Sequence, residues 1–181
     1  MKIACIGWGS LVWKPDVLRC ADAWQPDGPA LPLEFARTSR DGRLTLVLIA
    51  GATPVATLWS ALDYASAESA RDALAGREGC GAHAIGLWPG VMPEYDVGGT
   101  EVAFWAKAKG LDAVVWTALK PKFGNVSGKG PESAVAAVEY LKQLSPEAAA
   151  AAREYVERCP AQVRTPFRVA FEERLGWVPT G

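Results

Sequence analysis

The sequence predicts an α+β fold: a mostly antiparallel sheet curled into a small barrel, with helices packed around it and collected at the C-terminal end. Three observations carry this expectation. Strand-like runs rich in Val, Leu, Ile and Trp recur through the first two thirds of the chain. An Asp41-Gly42 pair separates two of them, the pattern of a tight hairpin. Beyond residue 130 the pattern changes to helix starts, among them Ser145-Pro146 and Thr165-Pro166. Strands first and helices last argue against a doubly wound parallel sheet. The 181 residues are expected to form one domain, about 1–120 as the barrel core and 131–176 as the C-terminal helices.

The elements follow in order. Ile3-Ala4-Cys5-Ile6 is a short apolar run, a strand buried on both faces, and Gly7 and Gly9 then turn the chain. Residues 15–23 are compatible with a short helix, Pro15 standing near its start, and 25–32 form a turn-rich connector. Residues 33–39, 44–49 and 55–62 predict three successive antiparallel strands. Residues 66–75 predict a helix closed by Gly76. Residues 82–88, 101–107 and 113–117 are further strand candidates, and 120–130 form a polar loop that could act as a lid. Three helices follow. The first starts at Pro131 and buries Ala134, Val135, Val138 and Leu141; the second starts at Ser145-Pro146. The third puts Phe167, Ala170, Phe171 and Leu175 on one face and closes at Gly176.

Composition narrows the function classes. Half of the residues are apolar and 22% charged, which is the balance of a globular chain. A net charge of −1, with no basic block, argues against nucleic acid or an anionic membrane surface as partner. No apolar run approaches the roughly 20 residues of a spanning helix, and the start lacks a signal peptide's length and cleavage site, so a cytoplasmic location is expected. Cys5, Cys20, Cys80 and Cys159 are scattered and expected as free, mostly buried thiols. Cys80 and the sole histidine, His83, are half a zinc site that nothing at suitable spacing completes, so no metal is expected.

Two stretches bear chemistry. In Gly7-Trp8-Gly9-Ser10-Leu11 the backbone can turn several N–H groups toward one polar ligand group. Known glycine motifs fail at named residues. A dinucleotide fingerprint needs a small residue where Val12 stands, and a nucleophile elbow needs glycines where Trp8 and Val12 stand. A P-loop ending at Gly128-Lys129 needs Gly at Phe123 and Ser or Thr at Gly130. The second stretch is Arg77-Glu78-Gly79. A carboxylate just past a helix end meets the unfavourable end of the macrodipole unless a cation such as Arg77 pairs with it. Local sequence also allows a plain solvated Glu there, as at Glu94, Glu101 and Asp63.

Together these stretches resemble a family. Gly7-Trp8-Gly9-Ser10-Leu11-Val12-Trp13-Lys14-Pro15 is similar to the Tyr-Gly-Ser-Leu-Ile-Trp opening of the ChaC-type γ-glutamylcyclotransferases. It also resembles the Tyr-Gly-Ser-Asn-Leu opening of the wider γ-glutamylcyclotransferase-like superfamily. Phe35, Ser39 and the strand from Arg43 to Leu48 resemble the family's Arg/Phe/Ser hairpin, and residues 55–62 its following strand. Leu74-Ala75-Gly76-Arg77-Glu78 is similar to the Leu-x-x-Arg-Glu that carries its catalytic glutamate. The resemblance implies the γ-glutamylcyclotransferase-like fold and an enzyme that cyclises a γ-glutamyl amide to 5-oxoproline and a free amine. It implies no cofactor and no metal. Glu78 would be the acid/base, and Trp8, Gly9, Ser10, Leu11, Val12 and Trp13 would bind the substrate. Two departures stand out: Trp8 replaces the family's Tyr, and Arg40-Asp41-Gly42 replaces the ChaC-type His-Arg-Gly, which leaves γ-glutamyl compounds other than glutathione open. The alternative is a non-catalytic protein binding a small carboxylate ligand on the same scaffold. Whether Glu78 shares a pocket with Gly9-Ser10-Leu11 separates the two.

Overall fold

The strand β1 (Ile3–Gly7) is buried along its whole length, and the molecule is built on its two faces. The computed structural model describes residues 1–180. Side chains alternate along a strand, so Ile3 and Cys5 face one way and Ala4 and Ile6 the other. Ile3 and Cys5 join Ala70 and Leu74 of α1 (Ala67–Glu78) in one apolar cluster. Ala4 and Ile6 join a larger core with Leu33, Phe35 and Phe171. Each fully buried side chain of this kind contributes about 1.5–3 kcal/mol of burial free energy.

β1 pairs antiparallel with β5 (Leu58–Leu62) and parallel with β7 (Ala113–Thr117); β6 (Ile85–Trp88) adds antiparallel to β7. The order is β5-β1-β7-β6. A second sheet holds β2 (Ala30–Thr38), β3 (Leu44–Leu48), β4 (Pro54–Ala56), β8 (Lys122–Phe123) and β9 (Val126–Ser127). Its order is β3-β2-β8-β9, with β4 also on β2. The helices α3 (Ala134–Lys142), α4 (Pro146–Arg158) and α5 (Pro166–Leu175) cover the larger core, α5 against β2. The class is therefore α+β, as expected. The sheets are mixed rather than purely antiparallel, because β1·β7 and β2·β8 are parallel. No strand pair among the described residues joins the two sheets into a closed barrel.

Several elements differ from the sequence expectation. Residues 101–107 are not a strand; they lie in a helix, α2 (Gly99–Lys109), between Gly98 and Gly110, both left-handed. Val102 and Ala106, four apart, are fully buried while Phe104 is exposed, so helical spacing overrides the β preference of Val, Phe and Trp. Residues 15–23 form turns, not a helix. Ala21 N–H donates to Ala61 and Gln25 N–H to Trp59, so the segment covers the outer edge of β5.

The run 55–62 is broken at Thr57, whose hydroxyl donates to the Pro29 carbonyl; β4 goes to the second sheet and β5 to the first. The stretch 82–88 begins as a short 3-10 turn before β6. α1 runs past Gly76 and ends at Glu78, where Gly79 (φ 62°) caps it. The loop 120–130 contains the small β8–β9 hairpin. α3 starts at Ala134 under a Ser133 cap and leaves Val135 exposed. The starts of α4 and α5 stand where Ser145-Pro146 and Thr165-Pro166 put them. The four thiols are free; Cys5 and Cys159 are buried, Cys20 and Cys80 partly so. No helix among the described residues is long and apolar enough to cross a membrane.

Candidate active site

The opening loop follows β1 directly. Val12 N–H donates to the Gly9 carbonyl (2.9 Å) and Lys14 N–H to the Ser10 carbonyl (2.8 Å), which closes a tight turn. Neither Gly7 nor Gly9 has a left-handed φ. Both are glycine because rings lie on them: a Cβ on Gly7 would meet the Trp24 indole at 2.6 Å, and one on Gly9 would collide with the Tyr155 hydroxyl. The N–H groups of Gly9, Ser10 and Leu11 donate to no protein group among the described residues.

α1 brings the carboxylate. Glu78 is its last residue, so the helix's own C-terminal carbonyls disfavour the negative charge there. Arg77 compensates. Its Nη1 donates to Glu78 Oε1 at 2.6 Å, with both side chains largely buried. Arg77 Nη2 also donates to Ser10 Oγ (3.2 Å) and to the Lys14 carbonyl (2.7 Å). One guanidinium thus ties the opening loop to the carboxylate. Glu78 Oε2 accepts from no protein group among the described residues.

A cavity of about 600 Å³ opens over these groups. Trp8, Gly9, Ser10, Leu11 and Glu78 all line it. Val12 and Trp13, grouped with them from the motif, do not. Val12 spends its N–H in the turn, and Trp13 packs edge-on against Tyr155, ring centroids 5.6 Å apart, with Arg158 over its face. The indole of Trp8 is 6% exposed, and its Nε1 donates to the Leu46 carbonyl at 3.2 Å. That ring is a core residue whose single donor is spent on β3.

The phenol in this cavity comes from elsewhere. Tyr155, on α4, accepts from Leu46 N–H at 3.2 Å and lies against Gly9. Burial pushes its pKa well above the ordinary tyrosine value, so it stays protonated at neutral pH. Sequence reading missed Tyr155; its only signal was a place on the stripe Ala152, Tyr155, Val156 in an alanine-rich helix. The hairpin after β2 supplies further polar groups. Ser39 and Arg43 both donate to Asp41, and Gly42 (φ 85°) makes the turn the Asp-Gly pair predicted. Burial works upward on the Asp41 carboxyl, but these hydrogen bonds outweigh it and hold its pKa below the usual range.

Cys80 lines the same cavity, its thiol pKa raised by burial and then by the Glu78 charge. His83 does not join it; its Nε2 faces Glu94 at 3.9 Å. No group of three His, Cys, Asp or Glu that could hold a metal ion is present among the described residues. Chemically, the arrangement offers a half-paired carboxylate, a run of free N–H donors and a phenol around one small-molecule-sized space. The chain matches no family model, no curated protein and no solved structure.

Proposed function

We propose that the protein is a γ-glutamylcyclotransferase-like enzyme that converts a γ-glutamyl amide or γ-glutamyl amino acid to 5-oxoproline and a free amine. The observation that carries this reading is the single cavity lined by Glu78 and by Gly9, Ser10 and Leu11, whose N–H groups donate to no protein group among the described residues, with Arg77 bonded to both sides. The loop amides receive the glutamyl part and the oxyanion that develops on its γ-carbonyl. Glu78 takes a proton from the substrate's α-ammonium, and that nitrogen attacks the γ-carbonyl carbon. As the new C–N bond closes the ring, the ring nitrogen gives up its second proton, the old amide C–N bond breaks, and the two protons pass in turn through Glu78 to the leaving nitrogen, which departs as an ammonium. Both reacting groups sit on one substrate, so positioning supplies much of the rate. Arg77 holds Glu78 Oε1, which leaves Oε2 for the proton. The reading carries a cytoplasmic location, where four free thiols persist.

Glu78→Gln tests it. The variant keeps its hydrogen-bond acceptor for Arg77 and should melt near the wild-type temperature, while 5-oxoproline release from γ-glutamyl substrates falls by at least about a hundredfold. Full turnover by a folded Glu78→Gln protein would remove the assignment. A wild type that binds these substrates without releasing 5-oxoproline would leave a carboxylate-binding protein in its place.

A further inference from the structure

Tyr155 lines the cavity, and its hydroxyl takes no part in moving the protons. The residue is 5% exposed, on the buried stripe of α4. Two rings fix it: Trp13 meets it edge-on, and Phe35 stands nearly perpendicular to it, ring centroids 6.3 Å apart. Its oxygen accepts from the Leu46 N–H at 3.2 Å. A phenol can accept and donate at once, and here only the acceptor half is used. Tyr155 donates to no protein group among the described residues. The Cys159 thiol, one turn further along the chain, is a weak acceptor while neutral, and burial keeps it so by pushing its pKa up to about 12.

Gly9 shows where this hydroxyl stands. A Cβ on Gly9 would collide with it, so it lies against the loop whose Gly9, Ser10 and Leu11 line the same cavity and whose N–H groups also donate to no protein group among the described residues. Burial is the main reason that the phenol keeps its proton. The Cys159 and Glu78 side chains act the same way, while the Leu46 N–H and Arg43, whose guanidinium lies over the ring at 5.5 Å, work against them. A buried O–H without an acceptor carries a desolvation cost that a ligand oxygen removes. When a nitrogen adds to an amide carbon, the carbonyl oxygen gathers negative charge. Donors already aimed at that oxygen in a dry site lower the barrier without having to reorganise.

We propose that the Tyr155 hydroxyl is a catalytic hydrogen-bond donor: together with the loop amides it binds the oxygen of the γ-carbonyl as the α-nitrogen adds to the carbon. No proton passes to that oxygen. Charge forms on it as the new C–N bond forms and returns to the carbon as the old C–N bond breaks. The cyclisation rests on the γ-glutamyl reading above; the unused donor and its place beside Gly9 do not.

Tyr155→Phe keeps the ring packing and removes the donor. With γ-glutamylalanine, kcat and kcat/KM should fall together by about a hundredfold. γ-Glutamyl-p-nitroanilide, whose weakly basic leaving nitrogen depends little on a proton donor, should lose the same factor, because the oxyanion is common to both. Wild-type kcat in a folded Tyr155→Phe protein overturns the proposal, and so does a loss carried by KM alone. A loss confined to γ-glutamylalanine overturns it too, since the hydroxyl would then serve the leaving nitrogen. Tyr155→Phe also leaves the Leu46 N–H unpaired, so a second variant keeps the oxygen: a ring-fluorinated tyrosine in place of Tyr155, with a more acidic phenol whose anion still accepts from Leu46. The alkaline arm of its kcat profile should move to lower pH. A profile that coincides with wild type would mean that the hydroxyl only holds β3, and the proposal falls. A wild type that releases no 5-oxoproline from either substrate ends the cyclisation reading and this role with it; release by the wild type and equally by Tyr155→Phe ends the role alone.

Discussion

Gly9 shows how a residue can be glycine for a reason outside its own backbone. Its φ is ordinary, and its missing Cβ is the space in which the Tyr155 hydroxyl sits. Gly9→Ala must therefore move α4 or distort the loop, at an expected cost of about 1–3 kcal/mol in urea denaturation. Gly9→Ala with Tyr155→Phe removes the colliding oxygen and should recover part of that loss. An unchanged midpoint for the single variant would show that the approach is not tight. Trp8 is the companion case. Its indole is spent on Leu46, and the phenolic oxygen beside the loop is that of Tyr155, a residue 147 positions further along the chain (155 − 8). Arg168 is a buried charged residue with a local cause. Its guanidinium donates to the carbonyls of Val156 (3.2 Å) and Cys159 (2.7 Å) at the end of α4, and to Pro160 and Val163. It neutralises that helix terminus where no water reaches.

At the scale of elements, the position of Glu78 depends on where α1 stops. Gly79, at φ 62°, donates its N–H to the carbonyls of Ala75 and Gly76 and ends the helix one residue after the carboxylate. Gly76 looked like the terminator in the sequence, yet it is an interior helical residue with open space where a Cβ would point. The two glycines should therefore respond oppositely. Gly76→Ala should stabilise the protein by about 0.5–1 kcal/mol. Gly79→Ala should destabilise it by about 1 kcal/mol, because an alanine in the left-handed region is strained. Thermal melts of the two variants check this, and shifts of the same sign would mean the helix does not end at Gly79. The strand β2 is the other decisive element. Its bulge at Ala36 lets one strand bury Phe35 and still present Arg37 to the cavity.

Across the whole molecule, the cavity is assembled from parts that are distant in sequence. They are the loop after β1, the β2–β3 hairpin, the end of α1, the segment from the end of β7 to β8 and one side chain of α4. Packing of the C-terminal helices on the second sheet therefore matters to the site, and Glu34 is central to that packing. It is 6% exposed on β2 and accepts from the Thr165 hydroxyl (2.5 Å) and from the Phe167 N–H (3.2 Å) at the start of α5. Burial raises its carboxyl pKa despite these hydrogen bonds and the one from Phe35 N–H. A folded pKa above the unfolded value means the contribution is fully present below the unfolded pKa, about 4.3, and is lost as pH rises through the folded value. Stability of the wild type relative to Glu34→Gln should therefore be greatest near pH 4 and shrink toward pH 7 in urea titrations. A difference that stays constant over that range would show that the carboxyl is not raised.

The sequence alone determined whatever depends on neighbours along the chain. The burial of β1, the Asp41-Gly42 hairpin and the Ser145-Pro146 and Thr165-Pro166 helix starts are local patterns of polarity, turn chemistry and capping. So was the pairing of Arg77 with Glu78, since adjacent opposite charges at a helix end reach each other. Tertiary structure decided what depends on contact at a distance. The run 101–107 became a helix because Val102 and Ala106 found a core to fill. The run 55–62 was divided because two sheets each claimed part of it. Val12, held by a turn bond, and Trp13, held by an aromatic contact, stand off the cavity lining, and Tyr155 joins that lining from α4. Backbone hydrogen bonds and caps are satisfied within a few residues. A cavity is the space left between elements, and its lining is set only once they pack.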